Sequence, residues 1–238
     1  MPNPTALIFD MDGVLVDSEP LHKRAKELAF AEMGIVLPEE VYDRYKGRPD
    51  RTMMPEVLQA RGRASEAERV MQRKKEFYEQ IEHELQPVDG AGHFVRWAAS
   101  RFRLALATSA TPRNRAAALR MLGIEDCFQS IVDTERFQRS KPDPEIFQVA
   151  MRDLGLEPEQ CWVIEDSTAG VGAGKAARCF TVGITTTFDR KTLLSAGADL
   201  VVDSFPALGN HIESLSKSKA RSARRTGEAA VPTLATVP

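Results

Sequence analysis

The chain predicts an α/β fold, a Rossmann-like parallel sheet core into which a helical cap is inserted. Three observations carry that reading. From Arg103 onward, short apolar strands alternate with amphipathic helices, the pattern of parallel βαβ units with helices on both faces of one sheet. A separate apolar run, Leu7-Ile8-Phe9, lies near the start of the chain, ahead of a stretch from about Val16 to Leu85 whose periodic signals are all helical. A lone strand in a helical block has no pairing partner, so Leu7–Phe9 belongs to the distant sheet and the helical block is an insertion.

Each element has its own signal. Leu7, Ile8 and Phe9 suit a buried parallel strand that ends abruptly at Asp10-Met11-Asp12-Gly13. Leu21, Ala25, Leu28, Ala29 and Met33 recur at helical spacing, and Gly34 stops a helix from about Glu19 to Met33. Pro38 to Gly62 carries short helical patterns broken at Gly47, Pro49 and Pro55. Ser65 with Glu68 reads as a capping box that opens a long helix, with Ala67, Val70, Met71, Phe77, Tyr78, Ile81 and Leu85 along one side. Gln86 to Gly90 resembles a linker. Beyond it, strands are expected at Leu104–Ala110, Gln129–Val132, Cys161–Ile164, Phe180–Ile184 and Leu200–Val202. Helices are expected at Pro112–Leu122, Asp143–Leu154 and Ala169–Arg178, with a short one near Thr192.

These elements divide the chain into a core of residues 1–16 and 88–213, a cap of residues 17–87 and a tail of residues 214–238. The tail shows no periodic apolar face and clusters Lys217, Lys219, Arg221, Arg224 and Arg225, so it is expected to be disordered. An apolar fraction of 42% and a charged fraction of 28% are those of an ordinary globular protein with a substantial core. A formal net charge of −2 gives no argument for nucleic acid or an anionic membrane as partner. No apolar run approaches the ~18 residues of a membrane span, and Met1-Pro2-Asn3-Pro4 lacks the features of a secretory signal, so a cytoplasmic monomer is expected. Cys127, Cys161 and Cys179 are odd in number, widely spaced and set among apolar residues, which suits reduced core thiols.

Chemistry is concentrated where strands end. Asp10 and Asp12, two apart on an extended segment, can point the same way into a crevice at the carboxyl end of the sheet, where open α/β sheets bind ligands. Carboxylates this close repel unless a cation, a proton or strong donors hold them, which makes Mg²⁺ a natural partner; taken alone, the stretch is equally well an acidic turn. Three further turns, Thr108-Ser109, Ser140-Lys141-Pro142 and Glu165-Asp166-Ser167, would face the same crevice in a parallel sheet.

Together and in this order, these motifs resemble the haloacid dehalogenase superfamily of phosphotransferases, over most of the chain except the tail. The resemblance implies Asp10 as the nucleophile that becomes an aspartyl phosphate, and Asp12 as the general acid and base. It implies that Ser109, with the backbone at Ala110, binds phosphate oxygens and that Lys141 neutralises charge. Asp10, Asp166 and the backbone carbonyl of Asp12 would hold Mg²⁺, with Glu165 as an auxiliary acid. The superfamily's dehalogenases lack the second acid, so Asp12 argues for phosphoryl chemistry. The inserted helices are similar to the small cap of the branch containing β-phosphoglucomutase and phosphoglycolate phosphatase, in which Arg48 and Arg51 would contact substrate. Those two are equally solvated arginines on sequence grounds, and His22, at a hinge position of the branch, is equally a surface histidine. Asp50 stands where a mutase would carry arginine, and Thr111-Pro112 where mutases carry lysine and asparagine. The expected function is a Mg²⁺-dependent phosphatase of small phosphorylated metabolites, sugar phosphates foremost, with a sugar phosphomutase as the alternative enzyme and a catalytically silent binding module as the alternative of another class.

Overall fold

The computed structural model describes residues 3–47 and 50–226, with side chains described as far as residue 217. Six parallel strands form the core: β1 (Ala6–Phe9), β4 (Arg103–Ala107), β5 (Ser130–Val132), β6 (Cys161–Glu165), β7 (Phe180–Ile184) and β8 (Leu200–Val202). Their order is β5-β4-β1-β6-β7-β8. β1 is central because the chain leaves it for β4 and β5 on one side and returns to pair β6 on the other. The strand order therefore reverses at β1, and the crevice opens outside its carboxyl end.

Alternation along the strands builds a core on each face. Leu7 and Phe9 join Leu104, Leu106, Trp162 and Ile164 in one cluster, under α5 (Ala91–Ala99), α6 (Pro112–Leu122) and α10 (Phe205–Thr226). Ala6 and Ile8 join Ala105, Ala107 and Val163 in the other, under α7 (Glu145–Leu154) and α8 (Thr168–Ala176). The sixth core helix, α9 (Arg190–Ser195), packs Leu193 against Val171 of α8 and Val201 of β8.

The inserted block comprises α1 (Glu19–Glu32), α2 (Glu39–Tyr45), α3 (Asp50–Gln59) and α4 (Ala67–Ile81). It has apolar cores of its own, one around Phe30, Met54, Leu58 and Val70 and a smaller one around Leu21, Ala25, Tyr78 and Ile81. Its two connections to the core are zipped together by a short antiparallel pair, β2 (Val16–Asp17) and β3 (Gln86–Pro87).

Three expectations need correction. α5 was not anticipated, although Ala91, Phe94, Val95 and Ala98 lie at helical spacing and are all buried. Ser65 does not cap α4: it lies in a 3₁₀ turn, Ala64–Glu66, and no side chain caps the helix. Arg63 instead pins Glu66 through two hydrogen bonds of 2.5 and 2.9 Å, closing the turn one step before the helix. The disordered tail does not begin at Ser214, because α10 continues to Thr226 and carries Ile212 and Leu215 onto the core. Residues from 227 onward lie outside the described residues.

Candidate active site

The loops after β1, β4, β5 and β6 converge on a chamber of about 520 Å³ lined by Asp10, Asp12, Ser109, Lys141, Glu165 and Asp166, with His22 and Arg51 on the cap side. Asp10 follows β1 directly and is tied to β6 through its N–H, which donates to the Ile164 carbonyl at 3.0 Å. Gly13 turns the chain with φ of +75°, and a Cβ there would run into the Asp166 carboxylate. Glycine at this position is thus required twice, by backbone conformation and by the closeness of the acid.

Lys141 is the electrostatic centre. Its Nζ donates to Asp10 Oδ1 at 2.5 Å, to Glu165 Oε1 at 2.7 Å and to the Ala107 carbonyl at 3.3 Å, which uses every hydrogen of the ammonium. Glu165 is completely buried, and its other oxygen accepts from the N–H groups of Asp166 and Ser167 and from the Ser167 hydroxyl. The same hydroxyl accepts from the Gly170 N–H and so caps α8. Gly170 is forced in turn, since a Cβ there would collide with the Glu165 carboxyl.

Asp10, Glu165 and Asp166 place carboxylate oxygens within 4.8 Å of one another, all buried. Three acids share one ammonium. Burial, followed by the neighbouring Glu165 and Asp10 charges, pushes Asp166 well above the usual carboxylate range. Asp10 is raised to about 7 by burial, which outweighs the opposing charge of Lys141. Lys141 itself is held charged by Asp10 and Glu165 against the effect of its burial. Hard oxygen donors with uncompensated buried charge fit Mg²⁺, and because the oxygens of Glu165 are already engaged, Asp10 and Asp166 are the ones with capacity to bind it.

The Asp12 carboxyl stands apart from that trio. Burial raises its pKa, opposed by a hydrogen bond from Ser18. Ser109 is exposed at the chamber wall, whereas Thr108, fully buried, accepts the Ala110 N–H on its Oγ1 at 3.0 Å and so shapes the turn. Arg51 lines the chamber from α3; Arg48 lies outside the described residues. His22 is no surface residue: its ring stacks on Tyr78 at 4.4 Å, and its Nδ1 accepts from Lys74 Nζ at 3.0 Å. Since an ammonium can only donate, Nδ1 carries no proton; burial and then Lys74 depress the His22 pKa to about 3.

Sequence reasoning missed the partners of this histidine. Lys74 lies on α4 four residues from Val70 and from Tyr78, both buried, and Lys26 lies beside Ala25 and Ala29 on α1. A lysine in the apolar stripe of a helix is a legible signal, because burying its charge demands a partner. The partner is Asp50, at 2.8 Å from Lys74 and 3.5 Å from Lys26. Both lysines hold the Asp50 pKa below its usual value although burial pulls the other way.

A sheet with a buried acid trio at its switch point, two of its members bridged by Lys141, and a lid of helices defines a class of hydrolases acting through a carboxylate-lined chamber. Residues 4–178 match the model of the haloacid dehalogenase-like hydrolases, and the chain belongs to that family. It is 36% identical over 204 residues to a phosphorylated carbohydrates phosphatase of Thermotoga maritima, covering 83% of this chain and 93% of that one. It is 32% identical over 206 residues to the β-phosphoglucomutase of Bacillus subtilis, covering 83% and 88%. Among solved structures, a β-phosphoglucomutase of Clostridium difficile superimposes with a TM-score of 0.71 at 27% identity, covering 85% of this chain and 92% of that chain. No helix among the described residues is long and apolar enough to cross a membrane.

Proposed function

We propose that this enzyme is a Mg²⁺-dependent phosphatase of small phosphorylated metabolites, sugar phosphates foremost, working through an aspartyl phosphate on Asp10. The observation that carries the reading is the Lys141 ammonium, bonded at once to Asp10 and Glu165 beside Asp166, with a second acid, Asp12, on the same turn. A carboxylate oxygen of Asp10 attacks phosphorus, and the ester P–O bond breaks as Asp12 gives its proton to the leaving oxygen. Asp12, now ionised, takes a proton from water as the water oxygen attacks the same phosphorus. The bond to Asp10 breaks, its carboxylate is regenerated, and inorganic phosphate leaves. Burial favours the protonated form of Asp12, which suits the donor role in the first step. Mg²⁺, held by Asp10, Asp166 and the Asp12 carbonyl, would neutralise charge on the phosphoryl oxygens. Lys141 adds its own positive charge beside Asp10, Ser109 offers a hydroxyl to the phosphate, and Arg51 faces substrate from the cap.

The second reading, a sugar phosphomutase, is favoured by the similarity to the Bacillus subtilis β-phosphoglucomutase. Both reactions share the phosphorylated Asp10 and differ in whether water or sugar accepts the phosphoryl group. The deciding experiment runs a phosphate-release assay beside a coupled dehydrogenase assay for glucose 6-phosphate, with β-glucose 1-phosphate, Mg²⁺ and a bisphosphate primer. Release is expected to be the faster. Isomerisation faster by about tenfold, a barrier difference of about 1.4 kcal/mol, would make the enzyme a mutase.

A further inference from the structure

Beyond the catalytic carboxylates the chamber continues into a recess of about 370 Å³ between cap and core. Its two lysines are already matched. Asp50 accepts both Lys26 and Lys74, whose side chains are only 9% and 11% exposed. Glu19, at the start of α1, lies in the field of Lys26, Lys46 and Lys74. The two buried ammoniums thus face two carboxylates, and His22 between them is neutral through its bond from Lys74. Asp12 lines the recess where it joins the catalytic chamber, and the rest of the polar wall is uncharged, with Tyr78, Ser109, Thr111 and Asn114 offering hydroxyl and amide groups.

An anion entering this recess would have to draw a lysine away from Asp50, leaving that carboxylate with one of its two partners and facing the newcomer. A hydroxyl makes no such demand, because it can donate to Asp50 and accept from a lysine without separating them. We propose that the recess receives the leaving-group end of the substrate and selects an uncharged, hydroxyl-bearing tail, with Asp50 as the residue that excludes a tail carrying a second phosphate. This assignment rests on the phosphatase reading of the same site.

The test compares kcat/KM for phosphate release from sorbitol 6-phosphate and from fructose 1,6-bisphosphate, with p-nitrophenyl phosphate as a substrate that has no polyol tail. The full-length enzyme is expected to favour sorbitol 6-phosphate by about tenfold or more. Asp50→Asn removes one negative charge at nearly constant shape and should shift the ratio toward the bisphosphate by about tenfold, chiefly through KM, while Asp50→Glu keeps the parental ratio. Lys26→Gln, which makes the recess more negative, should widen the preference for the neutral tail, so the assignment stays testable even if Asp50→Asn fails to fold. A parental enzyme that prefers the bisphosphate, or variants that move both substrates equally, would overturn the assignment while turnover of p-nitrophenyl phosphate upheld the phosphatase reading. Absence of phosphate release from all three substrates with Mg²⁺ present would overturn both.

Discussion

Lys141 decides what the single residues of this site can do. Its ammonium has no free hydrogen, so it is fixed between Asp10, Glu165 and the Ala107 carbonyl. Lys141→Met should lower stability by about 3–5 kcal/mol in the presence of a chelator, because it leaves two buried carboxylates without their cation. Denaturant melts of parent and variant measure this, and a loss under 1 kcal/mol would mean that Asp10 and Glu165 simply take up protons. Asp10→Asn, nearly the same shape, should leave the melting temperature close to the parent's and reduce turnover by about 10³-fold or more, since an amide is a poor nucleophile. Activity within tenfold of the parent would remove Asp10 from the chemistry.

At the level of elements, the question is what holds the cap down. The turn after α2 brings Gly47, at φ of +70°, so close to Phe188 of the core that a Cβ would meet the ring at 2.7 Å. Lys46 lies 5.8 Å from the centre of the same ring. On the other flank, Arg113 of α6 pairs with Glu82 and Glu79 at the end of α4. Gly47→Ala should therefore hinder closure, raising KM with a stability cost of about 1 kcal/mol, and Phe188→Ala should relieve part of the KM effect. Additive KM effects in the double variant would show that the two residues do not meet in the working enzyme. The Arg113 pairs are half-exposed and contribute about 0–1 kcal/mol, so closure depends more on the Gly47 contact.

For the molecule as a whole, the half-buried, neutral His22 ties cap stability to pH. Its folded pKa, about 3, lies below the usual 6.5, so between those values the unfolded chain binds a proton that the folded one does not. Stability is lost as pH falls through that window. His22→Gln, which keeps an acceptor for Lys74, should lose about 1–2 kcal/mol less than the parent between pH 6.5 and 4.5. Equal losses would mean that the ring is protonated in place. Mg²⁺ is expected to act in the stabilising direction, since binding only the folded state at 100 times Kd adds about 2.7 kcal/mol, and Asp166→Ala should abolish that gain in a thermal melt.

Much of this protein was readable from order and periodicity. The six strands announced themselves as apolar runs, because a strand buried on both faces needs no polar positions. The acids and lysine of the site followed from standing at the ends of those runs, Asp10 after Phe9 and Glu165-Asp166 after Ile164. α5 is equally legible, since Ala91, Phe94, Val95 and Ala98 keep helical spacing directly after the linker-like turn. The continuation of α10 is not: among the described side chains, only Leu215 carries its contact past Ser214, and a single apolar contact is invisible until the surface it meets is known. By itself, the sequence determined the fold class, the family and the carboxylates that carry the chemistry, since these depend on local pattern. The pairing of Lys141 with Glu165, the closure of Asp50 by Lys26 and Lys74, and the depressed His22 were decided by tertiary structure alone, because each joins groups distant in sequence whose charge state depends on what surrounds them once the chain is packed.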